Sequence, residues 1–109
     1  MHVESLRELA LSYEDVTEGF PFGETVLVCK VKGKIFLLVS LDEPVLQFNV
    51  KCDPEQAVLW REEFPDAVLP GYHMNKKHWN TVIVDGRVPE TLLQRMVRHS
   101  YELVYGKKK

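Results

Sequence analysis

The chain lacks most of the features that announce a function. It carries only 2 cysteines, too few for a disulfide scaffold. With no export signal ahead of them they read as two reduced thiols. No apolar run approaches the roughly 20 residues that span a bilayer, which excludes a transmembrane helix. The opening Met1-His2-Val3-Glu4-Ser5 has neither the basic start nor the apolar stretch of a secretion signal, so the cytoplasm is the expected compartment. Positive charge is not in surplus either. The net charge is -2 and the pI about 6.1, so bulk electrostatics will not hold nucleic acid and any such contact must rest on a local patch. Gly-x-Ser-x-Gly, a phosphate-cradling glycine loop and HExxH are all missing, which removes the usual hydrolase, nucleotide-binding and zinc-protease readings. The 16 acidic residues are scattered, and no acid–base pair stands out among them.

A composition of 45% hydrophobic and 28% charged residues describes a folded protein. At 109 residues the chain, 1–109, is expected to be one domain that closes its core without staples. Residues 3–12 predict an amphipathic helix, with Val3, Leu6, Leu9 and Ala10 on one face. Gly19-Phe20-Pro21-Phe22-Gly23 predicts a rigid loop that tucks its aromatic rings into the core edge. Strands follow over 26–31 and 34–41, joined by a tight turn at Lys32-Gly33. A third strand, 45–51, alternates: Leu46, Phe48 and Val50 point one way, and Gln47, Asn49 and Lys51 the other. That polar row implies a sheet face partly open to water. Asp53-Pro54-Glu55 is a strong helix start, because Asp caps free N–H groups, Pro suits the first turn and Glu favours the positive helix end. This helix stops before Pro65. Another strand spans 79–84. A last helix begins at Pro89, buries Leu92, Leu93, Met96, Val97, Ser100, Tyr101 and Val104, and ends at Gly106. The expected class is α+β, an antiparallel sheet with helices on one face.

The densest polar stretch is Gly71-Tyr72-His73-Met74-Asn75-Lys76-Lys77-His78-Trp79-Asn80. Such side chains are costly to bury, and folding alone does not ask for so many together. His73 and His78 are five positions apart, which suits neither one strand face nor one helix face, so no metal site is expected. Cys52 precedes a capped helix, a position that lowers a thiol's pKa, and His73 or His78 could serve as its base, but the preferred reading is a small residue filling a strand end. The acidic row wanted for iron handling is thin, since Glu4 and Glu8 share their helix with Arg7. Contact with nucleic acid suits the segment better. Lys76 and Lys77 can neutralise phosphates, Asn75, Asn80, Gln47 and Asn49 can hydrogen-bond, and Tyr72 or Trp79 can stack. For Trp79 the core reading is preferred, with Thr81 and Ile83 on its face and Leu46, Phe48 and Val50 as an apolar match. The tail Lys107, Lys108 and Lys109 reads as a solvated end.

Four segments carry a resemblance: Phe20-Pro21-Phe22-Gly23, Asn49-Val50-Lys51-Cys52-Asp53-Pro54-Glu55, the run from Pro70 through His73-Met74-Asn75-Lys76-Lys77-His78-Trp79 to Thr81, and His99-Ser100-Tyr101-Glu102-Leu103-Val104. Together they closely resemble the MmcQ/YjbR family of small bacterial proteins. The resemblance implies a frataxin-like (CyaY-like) α+β fold, a DNA-binding "double wing" of hairpins, and no established enzymatic activity or cofactor. The expectation is therefore a monomeric, non-enzymatic module that binds DNA through Gln47, Asn49, Lys51, His73, Asn75, Lys76, Lys77, His78 and Asn80. The alternative is a pocket for an anionic small molecule, or an enzyme of unknown class, using Lys51, His73, Lys76 and His78.

Overall fold

A computed structural model describes residues 1–106, and the Lys107, Lys108 and Lys109 tail lies outside the described residues. The first helix, α1 (Val3–Leu11), buries Leu6 and Ala10. Four strands follow: β1 (Val16–Gly19), β2 (Val26–Val31), β3 (Lys34–Ser40) and β4 (Gln47–Lys51). Then come α2 (Pro54–Glu63), β5 (Val68–Pro70), β6 (Trp79–Ile83) and α3 (Glu90–Tyr105). The strands form one antiparallel sheet in the order β1-β2-β3-β4-β6-β5.

The α+β expectation holds, and the core explains why. Leu27 and Cys29 of β2, Leu37 and Val39 of β3, Phe48 and Val50 of β4 and Val82 of β6 share one face with Leu6, Ala57, Trp60, Leu93, Met96 and Val97 of the three helices. The helices therefore lie on one side of the sheet. Asp53 caps α2 as expected, its Oδ2 accepting the Gln56 N–H at 3.4 Å. Ser100 pins α3 to the sheet. Its buried Oγ–H donates to the Phe36 carbonyl at 2.6 Å and accepts the Lys51 N–H at 2.9 Å, so a polar group in the core is fully used.

Two strands escaped the sequence pattern. No strand was expected over β1, and β5 is only 3 residues long and ends in Pro70. Both are edge strands. Each is defined by its single neighbour rather than by an alternating pattern of its own, and short, proline-ended edges are how sheets avoid pairing with other chains. The aromatic loop also differs from expectation. Phe20 and Phe22 are 53% and 62% exposed, so their rings stand out from the core instead of tucking under it.

Candidate nucleic-acid interface

The pleat decides what the uncovered face displays. Across β4 and β6 the register sets Lys51 opposite Trp79, Asn49 opposite Thr81 and Gln47 opposite Ile83. Phe48 and Val50 of β4 point to the helices, so this second set points away from them. Gln47, Asn49 and Lys51 thus lie on the open face, as read from their alternation. Trp79 does not follow its expected place. It is half-buried on the same open face as Lys51, and it does not belong to the core of Phe48 and Val50. Strand pairing puts residues that lie directly opposite each other on one face, and the pairing partner of Trp79 is a lysine.

Thr81 ties this face to the loop above it. Its Oγ1–H donates to Asn49 Oδ1 at 2.6 Å, and the same oxygen accepts the Tyr72 N–H at 2.9 Å. The loop at 71–78 is held by its own polar groups. The Gly71 N–H donates to the Trp79 carbonyl at 2.9 Å, the Lys77 N–H to Asn75 Oδ1 at 2.9 Å, and Lys76 Nζ to the Gly71 carbonyl at 3.2 Å. The His78 carbonyl accepts the Cys52 N–H at 2.7 Å, which fastens the loop's end to the start of α2. Gly71 is required by space. A Cβ there would sit 2.7 Å from the Cβ of Trp79 and 3.1 Å from that of Met74. His73 adopts φ +59°, an uncommon left-handed conformation for a side-chain-bearing residue, and its ring lies 4.0 Å from that of Tyr72. Tyr72 is 65% exposed.

Of the residues expected to bind, His73, Asn75, Lys76 and Lys77 are exposed on the loop and His78 is half-buried. Asn80 is a correction. It is 1% exposed and faces the helices, where its Oδ1 accepts Arg61 Nε–H at 2.7 Å. A ligand on the open face cannot reach it. The arginine that holds it was missed in the sequence. From the last turn of α2, Arg61 also donates through Nη2 to the carbonyls of Lys76 and Trp79, so one guanidinium joins the loop, β6 and α2. A lone arginine on a helix with little amphipathic pattern carries no sequence signal, because its partners come from 15 to 19 residues away. Thr81 was missed for a different reason: it was grouped with Trp79 as core.

The charge on this face has one sign. The register adds Thr17, Lys30, Ile35 and Leu38 to it. Among the described strand residues that face away from the helices, Lys30 and Lys51 are the charged ones, and none is acidic. Glu18 of β1 faces the other way, opposite Cys29, and is held by Arg7 of α1 at 2.7 Å.

The chemistry available is limited. Among the described residues no group of three or more His, Cys, Asp or Glu side chains could hold a metal ion. Cys52 is 1% exposed, and burial, with Asp53 adding to it, pushes its thiol up to about 12. Desolvation outweighs the helix N-terminus that would have lowered it, so Cys52 is not a poised nucleophile. Burial likewise pushes Cys29 up to about 11. No helix among the described residues is long and apolar enough to cross a membrane.

Comparison with known proteins bears on family and fold. The sequence model of the YjbR family matches residues 11–103. The uncharacterized protein YbdF of Escherichia coli O157:H7 is 40% identical over 101 residues, covering 93% of this chain and 82% of YbdF. The uncharacterized protein YjbR of Escherichia coli strain K12 is 37% identical over 73 residues, 67% of this chain but only 61% of YjbR. The crystal structure of Deinococcus radiodurans protein DR2400, domain DUF419, superposes with a TM-score of 0.92 at 39% identity, over 96% of this chain and 79% of that one. A Pseudomonas syringae protein shares the fold with a TM-score of 0.77 at 22% identity, over 95% and 99% of the two chains. The match over residues 11–103 and the identity to YbdF lead to one conclusion: the chain belongs to the YjbR family.

Proposed function

We propose that this protein is a monomeric, cytoplasmic, non-enzymatic DNA-binding module whose open sheet face takes an unpaired or distorted strand. The observation that carries this is the register of β4 with β6. It sets Lys51 beside Trp79 on a face whose strand positions bear lysines and no carboxylate. An exposed sheet surface that mixes aromatic and aliphatic side chains with cations suits unstacked bases, which lie flat on rings while phosphates meet the ammonium groups. Tyr72, exposed beside the loop lysines Lys76 and Lys77, extends the surface past the strand ends. Since the net charge is -2, binding must depend on these few lysines. If Lys30, Lys51, Lys76 and Lys77 each meet a phosphate, log K should fall with log salt with a slope of about -3 for a single strand.

The test is a fluorescence-anisotropy titration of labelled oligothymidylate and of a random duplex over a salt series. Lys51→Ala and Lys77→Ala should each flatten the slope by about 0.7 on the single strand. Trp79→Ala should weaken single-strand binding by about 1–3 kcal/mol while leaving the slope unchanged. A parent protein that binds neither oligonucleotide at low salt overturns the proposal. Direct binding of inorganic phosphate, read by calorimetry, with no DNA binding would move the reading to the small-anion site at Lys51, His73, Lys76 and His78.

A further inference from the structure

The exposed Phe20-Pro21-Phe22 loop has no part in the interface built around β4 and β6, yet it borders the same face. A groove of about 410 Å³ lies beside it, lined by Thr17, Gly19, Phe20, Pro21, Val28 and Lys30 among others. The register explains its shape. Gly19 pairs with Val28 and Thr17 with Lys30, so these four residues share the open face at the β1 edge. Gly19 has no side chain, and nothing lies within 4 Å of where a Cβ would stand. The backbone is therefore bare at that point, and a flat ring can approach it closely. Val28, itself buried, closes the floor, and Phe20, a residue 53% exposed, is the wall that offers surface to a ligand. Among the described strands, β1 has a neighbour on one side only, so its outer backbone edge is available to polar groups of a ligand. Glu18 also borders the groove, but its side chain faces the helices, where it meets Arg7 in a bidentate contact. Lys30 is left as the charge that sets the groove's preference.

We propose that this groove takes a single unstacked nucleobase of a DNA strand lying across the open face, with the ring against Phe20 and the adjoining phosphate at Lys30. This rests on the DNA-binding reading above and adds a second anchor to it. From Lys30 on β2 to Trp79 on β6 is three inter-strand spacings, about 14 Å, so one strand can span both anchors. The occupant follows from the groove's make-up: a planar wall, a bare backbone shelf and one unopposed cation fit a base with its phosphate. An acidic or purely apolar ligand would leave the ring or the ammonium unused.

The experiment uses the full chain and the same oligothymidylate titration. Because Phe20 is exposed, Phe20→Ala should melt like the parent, and Phe20→Leu keeps the apolar bulk while removing the aromatic face. Phe20→Ala should weaken single-strand binding about 5- to 150-fold, corresponding to the loss of one stacked base. Phe20→Leu should recover only part of this, and the salt slope should be unchanged in both. Lys30→Ala should instead flatten the slope by about 0.7. A 2-aminopurine placed within the oligonucleotide should change fluorescence less on binding to Phe20→Ala than to the parent, the remainder coming from stacking at Trp79. If both Phe20 variants bind like the parent while Lys51→Ala is weakened, the groove assignment fails and the DNA reading stands. If the parent binds no DNA, both fall.

Discussion

Removing Arg61 should loosen the loop at 71–78 and cost stability by an amount the contacts allow to be estimated. In Arg61→Ala the amide oxygen of Asn80, on a residue 1% exposed, loses its 2.7 Å donor. Water does not readily replace a donor at such a site, and an orphaned buried polar group costs about 1–3 kcal/mol. The bond to the Lys76 carbonyl lies at an exposed residue, where solvent substitutes for it, so it adds little. The expected loss is about 2 kcal/mol, near 1 M in a urea midpoint for an m-value of about 2 kcal/mol/M. Arg61→Lys keeps a charge but cannot reproduce the planar fork that meets three acceptors, so it should recover less than half. The decisive measurement is a double-mutant cycle with Asn80→Ala. If the guanidinium and the amide serve each other, the second change costs much less once the first is made, with a coupling of about 1–2 kcal/mol. Amide exchange at Gly71 and His78, whose N–H groups close the loop, should speed up in Arg61→Ala before the core exchanges. An additive cycle, or an unchanged urea midpoint, would refute the idea that this arginine organises the loop.

Two further predictions rest on other contacts. Gly71→Ala should destabilise by about 1–3 kcal/mol through overpacking, because the new methyl meets the Cβ of Trp79 at 2.7 Å; Gly19→Ala, with nothing within 4 Å, is the matched control, and equal melting temperatures for the two would refute the steric argument. Cys29 and Cys52 should resist a thiol reagent at pH 8 in the native protein and react together once urea unfolds it, since burial pushes their thiols from 9.0 up to about 11 and about 12. The sign follows from linkage: the unfolded thiols ionise near 9 while the folded ones keep their protons, so the stability contribution is whole below pH 9 and is lost as pH rises from there toward 12. Rapid native labelling of Cys52 would restore it as a candidate nucleophile.

What could be read in the sequence was whatever repeats locally. The amphipathic stripes of α1 and α3, the Asp53-Pro54 start of α2 and the alternation of Gln47, Asn49 and Lys51 are all patterns within about ten residues, and each appears in the structure where its period placed it. The conspicuous polar run leads into the strand that was expected to start at Trp79. The sequence also carried the family, through the motifs around Lys51-Cys52-Asp53-Pro54 and His73 to Trp79.

The tertiary structure decided which side each residue of 79–83 faces, and so which of them a ligand can meet. Trp79 and Asn80 are neighbours, and sequence alone assigned the ring to the core and the amide to the surface. The register with β4 reverses both, because a strand's period of two makes one residue of phase exchange the buried and open sets. That phase is set by hydrogen bonds to a strand about 30 residues earlier. The same holds for Arg61, whose three acceptors are brought to it only by folding, and for β1 and β5, which exist only because a neighbour supplies their pairing. Contacts between near neighbours were enough to place the three helices, the strands β2, β3, β4 and β6, the Asp53 cap of α2 and the apolar stripes of α1 and α3. Only the tertiary structure decided which residues of β6 join Gln47, Asn49 and Lys51 on the open face and how the loop is anchored, since both depend on pairings that no local pattern encodes.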